Sequence, residues 1–150
     1  MFTKRVTQFG EIDAALSGSI EEHWQKHIDL INKYNNSCRD LDVVIEDYLL
    51  YSAQAASQTN SRMETPKLIG CIQLHCALQK VPLEFQTAAS VKKRWSDTIL
   101  VKKGYLVEKP HGQYTRYYLP LTNGDEIMTT NHLRDSIRHG VHYLSFRVNK

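Results

Sequence analysis

Hydrophobic and polar positions along this chain change period several times, and each change marks an element. "VTQFGEI", residues 6 to 12, alternates loosely and predicts a short strand. Ile20, Trp24, Ile28, Ile31 and Tyr34 then recur at helical spacing, so a helix is expected from about Ser19 to Tyr34, with Ser17 or Ser19 as its cap. The β-branched run in "LDVVIEDYLLY" is too short for a helix and too apolar for an exposed edge, which predicts a buried strand from Leu41 to Glu46. "SAQAASQTNSRMET" has no periodicity and reads as a loop. Thr65 followed by Pro66 reads as a cap and a first-turn proline, and "KLIGCIQLHCALQK" spreads Leu68, Ile69, Ile72, Leu74, Cys76 and Leu78 around a mostly buried helix.

Downstream, "VPLEFQ" predicts a strand, and "AASVKKRWSDTILVKK" a helix or two short ones with Ser96 capping the second. "YLVEKPHGQYTRYYLPL", residues 105 to 121, sets His111, Gly112 and Gln113 between two β-rich runs and reads as a hairpin insertion; "TNGDE" is a turn. A last helix is capped by Thr130 or Asn131. On it, Leu133, Ile137, Val141 and Leu144 make an apolar stripe, while His132, Asp135, His139 and His142 make a separate polar one. Strands alternating with helices predict a single α/β domain with a partly parallel sheet, and sites in such sheets sit at strand ends.

Composition adds bounds. With 150 residues, 41% hydrophobic and 23% charged, the chain has the makeup of one globular domain and no low-complexity tract. No apolar run nears the roughly 20 residues of a membrane span and no signal-peptide centre is present, so a cytoplasmic protein is expected. Cys38, Cys71 and Cys76 lack the spacing of a zinc site and read as reduced thiols, the latter two as helix packing. The net charge of +3 is uneven: Lys92, Lys93, Arg94, Lys102 and Lys103 fall within twelve residues, a cluster suited either to phosphates or to a solvated helix face.

Glu46 at a strand end and Asp135 with His132 on the last helix are the candidate chemistry. Carboxylates and an imidazole brought to one point suit Mg²⁺ or Mn²⁺, and two such ions can hydrolyse a phosphodiester. On spacing alone such acids are more often helix or loop partners than ligands, and the pattern lacks the His pair of H-E-x-x-H zinc hydrolases.

The order "VVIEDYLLY", "TPKLIGCIQLHC", "VPLEFQTAASVKKRW", "HLRDSIRHGVHYL" resembles the RuvC-type Holliday junction resolvases of the RNase H-like superfamily, most closely their phage-encoded branch, from about Val6 to Phe146. The resemblance implies an RNase H-like mixed sheet flanked by helices and a homodimeric, structure-selective DNA endonuclease of phage recombination or replication, working in the cytoplasm of a bacterial host. It implies two Mg²⁺ or Mn²⁺ ions held by Glu46, His132 and Asp135, with Lys92 or Lys93 approaching the scissile phosphate. Lys92, Lys93, Arg94, Arg134, Arg138 and His139 would lie along a four-way DNA junction, and His142 would contact phosphate or the ligands. One departure stands out. The family's first strand, with its aspartate in a D-P-G or D-x-G-x-x-x-G context, and its second strand have no counterpart, because "FTKRVTQFGEID" resembles the third; the sheet is expected to be N-terminally incomplete. Losing a shared carboxylate costs roughly 10³-fold or more in rate. A non-catalytic DNA-binding relative of the same fold therefore stands as the alternative, and an unrelated interaction domain as a third.

Overall fold

Ser19 turns an extended backbone into helix α1, Ile20–Ser37, by accepting a hydrogen bond on Oγ from the Glu22 amide at 3.1 Å. Glu22 completes the start: its carboxylate accepts from the Gly18 amide at 2.8 Å and pairs with Lys26 at 3.0 Å, which holds its pKa below the usual carboxylate range. The computed structural model describes residues 8–48 and 63–147. The chain divides into two compact units, one spanning Ile12–Thr87 and the other running from Ala88 onward together with residues 8–11.

In the first unit, α1 packs on helix α2, Glu64–Gln79. Ile28 and Ile31 of α1 and Leu41, Val43, Leu68 and Leu83 surround a small core of Ile72, Cys76 and Val81. Strands β1, Val43–Glu46, and β2, Leu83–Gln86, pair in parallel, with Val43 opposite Leu83 and Glu46 opposite Gln86. His75 Nε2 lies 2.8 Å from Asn32 Oδ1, tying α2 to α1 by a polar contact beside that core.

Three expectations change here. α2 starts at Glu64, one residue before the Thr-Pro pair, and its cap position, Met63, is left-handed (φ 50°) and makes no side-chain cap; Thr65 and Pro66 both sit in the first turn, where a missing N–H costs nothing. α2 is not mostly buried. Leu74 and Leu78 are 63% and 70% exposed, because they lie about 200° around the helix from Ile72 and Cys76, on the side away from the core. β1 is half-buried rather than buried, and its last residue, Glu46, is exposed. Most of the expected loop from 52 to 65 lies outside the described residues.

The second unit holds helices α3, Ala88–Arg94, and α4, Asp97–Lys102, then strands β3, Val107–His111, β4, Tyr114–Pro120, and β5, Glu126–Met128, and helix α5, Asn131–Arg147. Ser96 caps α4, accepting from the Ile99 amide at 3.4 Å. Thr130 caps α5, accepting from the Leu133 amide at 3.1 Å, and its hydroxyl donates to Glu11. β3, β4 and β5 form an antiparallel sheet in that order. Gly112 turns the hairpin with φ +61°, a conformation that disfavours any side chain.

The hairpin expected at residues 105 to 121 is present, and its ends are part of the core. Leu106 and Leu119 are buried with Leu100, Leu133, Ile137 and Val141. β5 is an added strand the sequence pattern did not announce. No strand forms over residues 8–12, where Gly10 interrupts a weak alternation; the first two residues of that expected strand lie outside the described residues. Among the described residues the architecture is thus mixed α/β with two small sheets rather than one, and only β1 and β2 are parallel.

Cys76 is 1% exposed, and burial pushes its thiol pKa up, so it serves as core packing. Cys71 is half-buried and Cys38 exposed. No helix among the described residues is long and apolar enough to cross a membrane.

Candidate functional site

Three short-range decisions in the second unit bring charged side chains together. Val91, fully buried, fixes the face of α3 and leaves Lys92, Lys93 and Arg94 outward. The Ser96 cap places Asp97 in the first turn of α4, where a negative charge is favoured by the helix dipole. Leu133 and Ile137, in the core, turn Arg134, Asp135 and Arg138 of α5 toward α3 and α4.

The result is an open cleft of about 440 Å³ lined by Lys92, Ser96, Asp97, Asn131, Arg134, Asp135 and Arg138. Lys92 Nζ lies 3.0 Å from Asp135 Oδ2, and Arg138 Nη1 donates to Asp135 Oδ1. Arg138 also donates through Nη2 to Asp97 and through Nε to the Trp95 carbonyl at 2.9 Å, so one guanidinium closes three contacts. Arg134 Nε is an ion-pair neighbour of Asp97 Oδ1 at 3.3 Å, while its Nη1 donates to the Thr129 carbonyl at 3.3 Å and hydroxyl at 3.2 Å. The Arg134 guanidinium also sits 5.1 Å from the Tyr117 ring centre.

Burial raises the Asp135 pKa, but hydrogen bonds and charge from Lys92 and Arg138 outweigh it and hold the carboxyl below the usual carboxylate range. Asp135 is therefore an anion at any neutral pH. Against Asp97 and Asp135 stand Lys92, Arg134 and Arg138, which leaves the cleft one positive charge in excess. Such a cleft attracts an anion while keeping a carboxylate ionised beside it.

The residues singled out in the sequence fall into distinct places. Lys92 and Asp135 are in direct contact. Arg134 and Arg138 share the same cleft with side chains only 16% and 11% exposed, Arg138 engaged by both acids and Arg134 by Thr129 and Asn131 beside Asp97. His132 is exposed and is not among the cleft's lining residues. Lys93 is exposed on α3, and Arg94 reaches over the Phe146 ring at 4.7 Å. His139 is 6% exposed, so it belongs to the interior, and His142 meets Phe146 edge-on at 4.8 Å. Glu46 stands exposed at the end of β1 in the other unit.

Asp97 and the Trp95 carbonyl were not singled out beforehand. The signal was present in "RWSDTIL": a serine cap followed at once by an acid places a carboxylate at a helix start.

Among the described residues, no three His, Cys, Asp or Glu side chains come together as a metal-holding group. Asp135 is an ionised oxygen donor of the right chemistry for Mg²⁺ or Mn²⁺, but the cleft offers it lysine and arginine as neighbours rather than further ligands. Comparison with protein-family models, curated proteins and solved structures finds no match to this chain.

Proposed function

We propose that the chain is a metal-dependent, structure-selective DNA endonuclease of the RuvC type, with an RNase H-like fold, acting as a dimer on four-way junctions in phage recombination or replication. The observation that carries this reading is the meeting of Lys92 with Asp135 at 3.0 Å in an open cleft of net positive charge. The resemblance assigns one of these to the scissile phosphate and the other to metal, and an ionised carboxylate beside a lysine is the pairing such chemistry needs.

Lys92 neutralises phosphate charge and Asp135 stays ionised at working pH. Arg138 holds Asp135 in place through its contacts to Asp97 and the Trp95 carbonyl. The resemblance assigns His132, one turn before Asp135, and Glu46 as the further metal donors. Divalent ions would supply the attacking hydroxide and stabilise the leaving oxygen. The donors of the cleft alone do not make a divalent site, and any ion binding Asp135 competes with Lys92 and Arg138 for its oxygens.

That competition favours a second reading, a DNA-binding relative without catalysis, in which both oxygens of Asp135 stay paired. Incubating the chain with a labelled four-way junction and Mg²⁺ or Mn²⁺ separates the two. Nicking that disappears in Asp135→Asn and Glu46→Gln supports the nuclease; salt-sensitive binding indifferent to Mg²⁺, without nicking, supports the second reading.

A further inference from the structure

The β3–β4–β5 sheet has one face in the core and one in solvent. Leu119 is 1% exposed and Tyr117 packs against the same core, which fixes the inner face of β4. Side chains alternate along a strand, so Tyr114, Arg116 and Tyr118 point outward. The register sets His111 opposite Tyr114, Lys109 opposite Arg116, and both Val107 and Met128 opposite Tyr118. Contacts agree with this: Lys109 Nζ lies 5.3 Å from the Tyr118 ring centre, and Arg116 Nη1 lies 3.2 Å from Met128 Sδ, each across a diagonal of the outer face.

Two features of this face are not accounted for by its internal contacts. Tyr114 leaves 77% of its surface in water at the start of β4. Lys109 and Arg116 are a directly opposed pair of like charges, which destabilises an antiparallel ladder, and Glu126 answers only Lys109. A polyanion laid across the strands relieves that repulsion. Ring, cation and ring at Tyr114, Arg116 and Tyr118 run about 13 Å along one strand, an interleaving suited to stacked bases with phosphates between them.

We propose that this outer face binds unpaired bases of single-stranded nucleic acid, with Tyr114 as the principal stacking residue and Lys109 and Arg116 on the phosphates. The proposal adds to the cleavage reading a means of holding unpaired strand, and it does not require cleavage. Commitment to nucleic acid rather than a second copy rests on charge: a second copy would bring the same opposed cations to the face.

The test is fluorescence anisotropy of a labelled oligodeoxythymidylate of about 12 nucleotides, in EDTA and over a salt series. Tyr114→Ala should weaken binding about tenfold, and Tyr114→Phe should restore it. Arg116→Gln should lower the slope of log affinity against log salt by about 0.7. Binding is read without divalent ion and without a junction to cleave, so failure of the cleft as a cleavage site and failure of the sheet face are read separately. Wild-type affinity in Tyr114→Ala overturns the proposal. So does a Tyr114→Ala effect that tracks a change of oligomeric state in sedimentation, which would make the face a contact between copies.

Discussion

Lys92 of α3 and Asp135 of α5 meet at 3.0 Å, each on a helix held by its own buried apolar residues. The pair sits at the edge of the cleft, with the lysine half exposed and the aspartate only 21% exposed. Lys92→Gln should therefore cost under about 1 kcal/mol of stability, as exposed pairs do. It should also raise the Asp135 pKa, because burial then acts against the charged form with one less cation opposing it. A carboxyl-carbon NMR titration of both proteins reads this directly, and an unmoved Asp135 would contradict the geometry.

Arg138 is the side chain whose loss the cleft tolerates least. Arg138→Ala leaves Asp97 and Asp135 partly buried with a shared partner gone, which should cost about 2 to 3 kcal/mol in urea denaturation. Arg138→Lys should recover little of it, since a single ammonium cannot serve the Trp95 carbonyl and two carboxylates in three directions. Full recovery by lysine would mean that charge alone matters.

Stability should fall toward acid in two windows. His27 of α1 has its pKa lowered, chiefly by burial and further by the charge of His23, against the raising effect of its hydrogen bond to the His23 carbonyl. The unfolded chain then binds the proton first, so its contribution is intact above the ordinary value of 6.5 and is lost as pH falls below it. Asp135 is depressed below its ordinary 3.8, so its contribution is intact above that value and is lost as pH falls through the lower folded one. His27→Gln should flatten the first window in a denaturation series carried from pH 8 to about pH 2 and leave the second untouched.

The two faces of β4 should respond oppositely to truncation. Leu119→Ala removes a fully buried side chain and should cost about 3 kcal/mol, whereas Tyr114→Ala on the outer face should shift stability by less than about 0.5 kcal/mol. Similar losses at both would reverse the assignment of inner and outer faces.

The elements legible in the sequence are those fixed by local chemistry. Ser19, Ser96 and Thr130 cap the helices they precede, and Gly112 turns the hairpin where the alternating runs break. What escaped were decisions made by packing between elements. The spread of apolar residues on α2 does not say which side meets the core, and Leu74 and Leu78 ended outside. β5 is three residues with one half-buried position, too short to announce itself before β4 was there to pair with it. In the cleft, α3 and α5 were marked by their charges, but the bond between Lys92 and Asp135 and the place of Asp97 depend on how three helices stack. Helical spacing put His139 with Asp135 in one stripe, yet the stripe is wide enough that packing took His139 inward.

Divalent-dependent cleavage of a four-way junction, followed for the wild-type chain beside Asp135→Asn and Lys92→Gln, bears most directly on the cleft as a phosphodiester-hydrolysing site. The account predicts nicking that needs Mg²⁺ or Mn²⁺, is abolished by Asp135→Asn, and is lowered at least about 100-fold by Lys92→Gln, a loss of about 3 kcal/mol in transition-state stabilisation. Cleavage at wild-type rate by Asp135→Asn, or junction binding with no divalent-dependent nicking by the wild-type chain, would contradict it.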